Sequence, residues 1–434
     1  MNRLRTLGVS ASLVVTAGLA ACVGDDPGVF HQPGPDVSSP GTDAGVDADS
    51  APIVVDAGDD APPDVTCNAP LEACGTACVD KQTNGQHCGR CERACGQGST
   101  CSAGNCSPVV LASGLDSPSA LAVAPAVVVM ALGDVVVRCG KDGCAQGATR
   151  LWQSTEWTLV PGALSLSADR SHAFVLGRTT TPPFPWETNL YRVALDGIIA
   201  SIPSHQTTAL SPAHALGNST RVTTDAREHA FVSPYRSHRC FAASCENVAV
   251  LSNNETPTSV TLTPTHYAWT IHDGSGGATV QTCPRPPANA SSYEGASDCG
   301  TPLALAPAIT QSTSNHVTSH DNVVYWADWS TNGGATGRIL ACPPSGCGGA
   351  PKVIATAEQV IDGLAVDATG AYWTSGSSGT VRVCRDLVKG CGTEAETLAG
   401  GASNPGPIGL DDKYVYFIAR GGNAENGALL KVAK

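Results

Sequence analysis

Charge is scarce in this chain. Asp, Glu, Lys and Arg supply 15% of its 434 residues, against about a quarter in ordinary globular domains. No Lys or Arg lies between residues 23 and 66. No basic patch forms, which removes the electrostatic footprint of a nucleic-acid binder. Long apolar runs are missing as well. The segment from Leu7 to Ala21 holds about 15 apolar residues, short of the roughly 20 that cross a bilayer as a helix. No long stretch has helical periodicity. The His-Glu-x-x-His zinc motif, the phosphate-binding Gly-Lys loop and the Gly-x-Ser-x-Gly elbow are all lacking; Gly376-Ser377-Ser378-Gly379 has the wrong spacing for the last. The sequence therefore assigns no catalytic residue, no metal ligand and no cofactor.

Turn-formers and cysteine are plentiful instead. Gly and Pro supply 47 and 30 positions, which favours a turn-rich all-β protein. Of 19 cysteines, Cys22 stands alone, eight fall between Cys67 and Cys106, and ten form five local pairs. Setting Cys22 aside leaves an even number, as expected of an oxidised, exported protein. At the N-terminus Arg3 and Arg5 precede the short apolar run, which ends in Leu19-Ala20-Ala21-Cys22. That is a secretory signal cut before a cysteine, and it resembles the lipobox of bacterial lipoproteins. The resemblance implies a diacylglycerol thioether on Cys22 and cleavage before it, so residues 1–21 would be the signal peptide. Val23 and Gly24 follow instead of an Asp-type retention signal, which points to the outer membrane. The expected location is thus the cell envelope, with contact to the membrane through the lipid on Cys22.

Residues 22–66 read as a tether. The net charge of −13 is concentrated here: ten Asp without Glu, Lys or Arg lie between residues 23 and 66, and excluding them and the two signal arginines leaves 23 basic against 28 acidic residues. Interleaved Asp and Pro with few apolar side chains cannot offset the entropy of ordering. Fully extended, the segment would reach on the order of 140 Å. Asp47 and Asp49 lack the rest of a calcium loop.

Residues 67–106 form a small Cys-rich module. Its cysteines are Cys67, Cys74, Cys78, Cys88, Cys91, Cys95, Cys101 and Cys106, with Leu71 and Val79 as the only large aliphatics. So little apolar material builds no sufficient core, and four disulfides must hold the fold, in a connectivity the sequence leaves open. Cys88-Gly89-Arg90-Cys91 beside His87 could suggest zinc, but a single pair in an exported protein favours disulfides. The stretch from Cys78-Val79-Asp80 through Cys106 resembles a Cys-rich motif of exported myxobacterial proteins, which implies surface location and no reaction.

Residues 107–434 carry a repeat. In the clearest copy Gly363-Leu364-Ala365-Val366-Asp367 precedes Ala371-Tyr372-Trp373-Thr374, then Gly379 to Cys384, then Glu396-Thr397-Leu398-Ala399. Its neighbour has Asp321, Val324-Tyr325-Trp326-Ala327, Gly337 to Cys342 and Lys352 to Ala355. The Asp that opens the hairpin in five copies, at Asp169, Asp225, Asp321, Asp367 and Asp411, can bond the backbone two residues on; aromatic and β-branched residues on the second strand supply burial between sheets. The pairs Cys139/Cys144, Cys240/Cys245, Cys342/Cys347 and Cys384/Cys391 staple the hairpin after the third strand, and Cys283/Cys299 closes a longer insertion. From Met130 through Val175, Val232, Trp269, Trp326, Trp373 and Phe417 the spacings are 45, 57, 37, 57, 47 and 44. Seven positions near 48 residues apart predict a seven-bladed β-propeller, with six or eight blades as alternatives. Val109 to Ala112 looks like an outer strand, while the chain stops after a third strand at Leu429 to Val432, so the first strand is expected to complete the last blade. Tyr325-Trp326-Ala327-Asp328 and Tyr372-Trp373-Thr374-Ser375 resemble the YWTD and NHL-type propellers.

Chemistry-bearing residues are few. His316 and His320, four apart, fall on an inner strand or its approach and read as structural or solvent-exposed. His172, His229 and His266 recur before second strands and read as packing residues. Trp152, Trp157, Trp186 and Trp329 lie outside the repeated aromatic position; exposed, they could stack on sugars or peptides, and buried they anchor loops. Two function classes follow. One is a binding or scaffolding lipoprotein whose propeller presents a face to an unknown protein or glycan. The other is an enzyme of the lyase or lactonase type, since streptogramin lyase and lactonases also use propellers; it would place a His/Glu pair or an Asp/Asn/Glu ring in the central channel.

Overall fold

The structure, a computed structural model, describes residues 65–144, 147–153, 157–179, 188–196, 221–233, 236–241, 249–253, 256–272, 278–286, 299, 301–306, 316–330, 336–422 and 426–434. Cys22, the lipobox and the tether up to Asp64 lie outside them. So do Trp186 and Cys245, and the side chains of Trp157 and Trp329.

Every element among the described residues is a strand. Seven antiparallel meanders follow one another from residue 109 onward. Their inner strands are Pro118–Val123, Trp157–Leu166, Val222–Thr224, Thr256–Leu262, His316–His320, Gly363–Asp367 and Pro405–Leu410. Each inner strand lies beside the next, and the seventh lies beside the first, so the ring is closed. The sixth blade keeps the repeat read from sequence: Gly363–Asp367, Gly370–Ser375, Thr380–Cys384 and Glu396–Ala399 in order. Six blades show four strands, and the second shows three among the described residues. The seventh is completed by Val109–Leu115, which pairs with Gly427–Ala433 in the register Leu429↔Ala112 and Leu430↔Val110. Joining the first strand to the last sheet ties the two ends of the ring together, which is how closure stabilises a propeller.

The core is divided into seven apolar layers, one at each junction between blades. Second strands supply most of it, as their composition predicts. Trp269, Trp373, Tyr267, Tyr372, Tyr416, Phe231 and Phe417 are all fully buried. A large aromatic removes about 150–250 Å² from water, worth roughly 4–6 kcal/mol by area.

The Asp turns form where the repeat places them. Asp169 accepts from Ser171 N–H at 3.1 Å, Asp225 from Arg227 N–H at 2.8 Å, Asp367 from Thr369 N–H at 2.8 Å and Asp411 from Lys413 N–H at 2.9 Å. Asp321 is the exception. It and Asn322 both have positive φ, at 45° and 56°, and join His320 to Val323 by a two-residue hairpin. Such a turn matches the twist of its strands through backbone geometry alone, so no side-chain bond is needed.

Among the described cysteines, the module contains Cys67–Cys78, Cys74–Cys91, Cys88–Cys101 and Cys95–Cys106. The propeller contains Cys139–Cys144, Cys283–Cys299, Cys342–Cys347 and Cys384–Cys391. Cys240 is also disulfide-bonded, and its expected partner Cys245 is outside the described residues. The sulfurs of Cys88, Cys95 and Cys106 lie within 4.8 Å of one another, but all three belong to disulfides, which removes the thiolates a zinc site requires.

The Cys-rich module is docked on the propeller, a contact that nothing in its own sequence specifies. Cys88, Cys95 and Cys106 join the apolar layer between the sixth and seventh blades, against Tyr372, Leu398 and Val432 among others. Arg93, whose side chain is fully buried, donates to Glu396 Oε1 at 3.0 Å and to the Leu398 carbonyl at 3.1 Å. Arg90 donates to the carbonyl of Lys434 at 3.2 Å. The module's missing core is thus supplied partly by its neighbour.

Candidate functional site

The seven inner strands run the same way around the axis, so their first residues gather at one mouth of the channel. Three of those positions are chargeable. Arg221 precedes the inner strand of the third blade, His316 opens that of the fifth, and Asp362 precedes that of the sixth. Arg420 follows Tyr414–Ala419, the second strand of the seventh blade, which runs back to the same level: Ala419 pairs with Pro405. All four side chains line one cavity of about 240 Å³ to which every blade contributes.

Local backbone explains how two guanidiniums fit there. The inner strand of the second blade carries a bulge between Leu159 and Leu164, with Gly162 at φ +81°. A Cβ on Gly162 would lie 3.0 Å from Arg221 Nη1 and 3.2 Å from its Cζ. A Cβ on Gly406 would lie 2.6 Å from Arg420 Cζ. Each guanidinium therefore occupies space that any residue but glycine would fill.

The electrostatics follow from the crowding. Burial lowers the pKa of Arg221, and the nearby Arg420 lowers it further. Burial, aided by the two guanidiniums, drives His316 down to about 3, so its ring is neutral at physiological pH. Asp362 stands 3.9 Å from Arg420 and accepts from Gly376 N–H at 2.6 Å. Half-buried hydroxyls of Ser165, Thr223 and Thr318 also line it. Guanidiniums with hydroxyls bind oxyanions; the described lining holds one carboxylate, not a ring of them.

The residues singled out in the sequence have other places. His316 opens its inner strand, where the sequence placed it, and lines the channel half-buried. His320 sits at the far end of the same strand beside the turn residue Asp321. His172 and His266 face turn hydroxyls, with Nδ1 2.7 Å from Ser171 Oγ and 2.8 Å from Thr265 Oγ1. His229 Nδ1 lies 2.9 Å from Thr224 Oγ1, and its ring packs at 4.4 Å on Phe174. Of the three, His229 packs, while His172 and His266 stay half-buried at their turns. Trp152 is half-buried and stacks at 5.0 Å on Tyr191. Arg221, Asp362 and Arg420 carry no signal in the sequence, because each is an ordinary charged residue in its own blade; only alignment of the seven inner-strand starts brings them together.

Fold and channel define a seven-bladed β-propeller with a polar axial cavity. Residues 52–108 match the Stigma-specific STIG1-like protein family, a match confined to the Cys-rich segment and its approach. No curated protein matches the chain. Among solved structures, the chain is similar to one from a mitotic checkpoint complex, at 13% identity and TM-score 0.50 over 74% of this chain and 93% of that one. It is similar to the WD40 propeller of Doa1, at 9% identity and TM-score 0.50 over 75% and 96%. It also resembles PorZ, a surface component of the type-IX secretion system of Porphyromonas gingivalis, at 10% identity and TM-score 0.49. That match covers 75% of this chain but only 38% of PorZ. At such identities the likeness is one of fold.

Proposed function

We propose that this protein is an exported lipoprotein, anchored by acyl chains on Cys22 in the outer membrane of a bacterial envelope, whose propeller serves as a binding or scaffolding module. The observation that carries the binding role is the axial cavity, a concave polar site into which a few side chains from separate blades converge. Export is supported by the cysteines, since every one among the described residues is disulfide-bonded, as an oxidising compartment requires. Anchoring rests on the Leu19-Ala20-Ala21-Cys22 string, and the Asp- and Pro-rich residues after it would hold the propeller away from the membrane. The lyase or lactonase reading is less well supported, because the one described carboxylate of the lining, Asp362, is engaged by Gly376 N–H and faces Arg420.

Two measurements test the proposal. Changing Cys22 to Ser should move the protein from the membrane to the soluble exported fraction, because acyl chains contribute about 0.8 kcal/mol per buried CH2. Unchanged membrane association would refute the anchor. Crosslinking on whole cells followed by purification should recover a reproducible envelope partner, and consistent recovery of the protein alone would refute the scaffolding role.

A further inference from the structure

Several arginines in this chain face carboxylates at hydrogen-bond distance. Arg93 meets Glu396 at 3.0 Å, Arg285 meets Asp225 at 2.6 Å and Glu228 at 3.2 Å, and Arg382 meets Glu358 at 2.5 Å. Such pairing is the rule, because a desolvated cation without a counter-charge is costly. The two half-buried arginines at the axis have no carboxylate that close. Arg221 makes no hydrogen bond or ion pair through its side chain among the described residues, and Arg420 has only Asp362 at 3.9 Å. They nevertheless sit close enough for Arg221 to feel Arg420, and for His316 to feel both. Both are seated against glycines, Gly162 and Gly406, that leave room for a flat guanidinium. Two like charges brought together at the end of a cavity, with their planar forks unoccupied, form the arrangement that recognises carboxylate or phosphate.

We propose that the axial cavity binds a small oxyanion, a carboxylate or phosphate group held between Arg221 and Arg420, with the hydroxyls of Ser165, Thr223 and Thr318 bonding the remainder of the ligand. This deepens the binding role proposed above and rests on it. The charges agree: two guanidiniums against Asp362 leave one positive charge for a bound anion. His316 adds none, because its ring is neutral and serves as a hydrogen-bonding group. A cavity of about 240 Å³ accommodates a metabolite-sized acid or phosphate ester and excludes a folded partner.

The test is titration of the full chain in detergent with inorganic phosphate and, separately, succinate, at ionic strength matched with sodium chloride, followed by calorimetry and thermal melting. At least one anion should bind saturably and raise the melting temperature; phosphate alone would identify a phosphate-type ligand, succinate alone a carboxylate. Arg221→Met should weaken that binding at least about tenfold while raising the melting temperature of the unliganded protein, because it removes an unpaired desolvated charge. Gly406→Ala, which displaces Arg420, should weaken it too. Arg221→Lys, which keeps the charge but loses the fork, gives the same reading if the Met variant fails to fold. Absence of saturable binding by both anions at millimolar concentration would overturn the proposal, as would unchanged binding by Arg221→Met and Gly406→Ala. If neither anion binds but whole-cell capture still recovers a partner, this site falls and the broader binding role stands. Anion binding without any captured partner would uphold this site and remove the scaffolding role.

Discussion

The Cys-rich module and the propeller solve the same problem by opposite means. Residues 67–106 contain two large aliphatics, one of them exposed, and are held by four disulfides closing loops of 11 to 17 residues. The propeller has seven apolar layers, and its short disulfides span 5 or 7 residues at strand ends. Each module bridge contributes roughly 3 kcal/mol in the chain-entropy picture, each short propeller bridge roughly 2. Cross-links therefore determine whether the small unit exists, and merely trim the large one. Docking blurs the division, because Arg93 and three cysteines extend the module into the layer between the sixth and seventh blades.

The largest expected effect is that of reduction. A mild reductant should expose protease sites first between Cys67 and Cys106, with the propeller intact; early cleavage throughout residues 109–434 would show that the blades lean on their own disulfides. Next is Trp373→Ala, which empties the layer between the fifth and sixth blades and removes the indole donor, at 3.1 Å, from Glu358 Oε2, whose other oxygen stays bound to Arg382. It should cost the propeller about 3–5 kcal/mol, read from denaturant unfolding, and leave module disulfides untouched. Arg93→Ala is expected to cost about 2–3 kcal/mol, since it removes two buried charge-assisted bonds. Its signature should be faster hydrogen exchange in residues 67–106 without change at Trp373; exchange rising equally in both would mean that the module and blades unfold as one unit.

Acid should act gradually, and it bears on the propeller. His316 falls to about 3 from an ordinary 6.5, so the unfolded chain takes up its proton first. That contribution is complete above about pH 6.5 and is lost as the pH falls toward 3. For Asp411, burial alone would raise the pKa, but bonds from Lys141, the Lys413 and Tyr414 amides and the Tyr416 hydroxyl bring it to about 2. Its share persists above about pH 4 and declines toward pH 2. Stability measured against pH should therefore begin to fall near 6.5; burial also lowers His266, so His316→Gln should make that first fall shallower without abolishing it.

Much of this protein is legible as pattern. Aromatic second strands, Asp turns and local cysteine pairs are each set by residues within one hairpin, so Tyr372-Trp373, Asp367 and Cys384/Cys391 can be read in place. Even closure is visible, because Val109 to Ala112 has the outer-strand character that its pairing with Gly427–Ala433 requires. Less legible is anything that depends on two blades at once or on backbone angles. Asp321 has the sequence look of another Asp turn, yet the positive φ of its neighbour Asn322 makes the hairpin a backbone matter. His316 resembles the other strand histidines, since nothing near it in sequence points to Arg221 or Arg420.

The sequence by itself determined the periodic part: the all-β class, seven repeats, and a module too poor in aliphatics to fold without cross-links, because secondary-structure period and local turn chemistry act over a few residues. Only the tertiary structure decided which cysteines of the module join, where Arg93 docks, and that Arg221, His316, Asp362 and Arg420 share one cavity. Those are contacts between residues tens to hundreds of positions apart, and ring closure, which no single repeat encodes, is what brings them within reach.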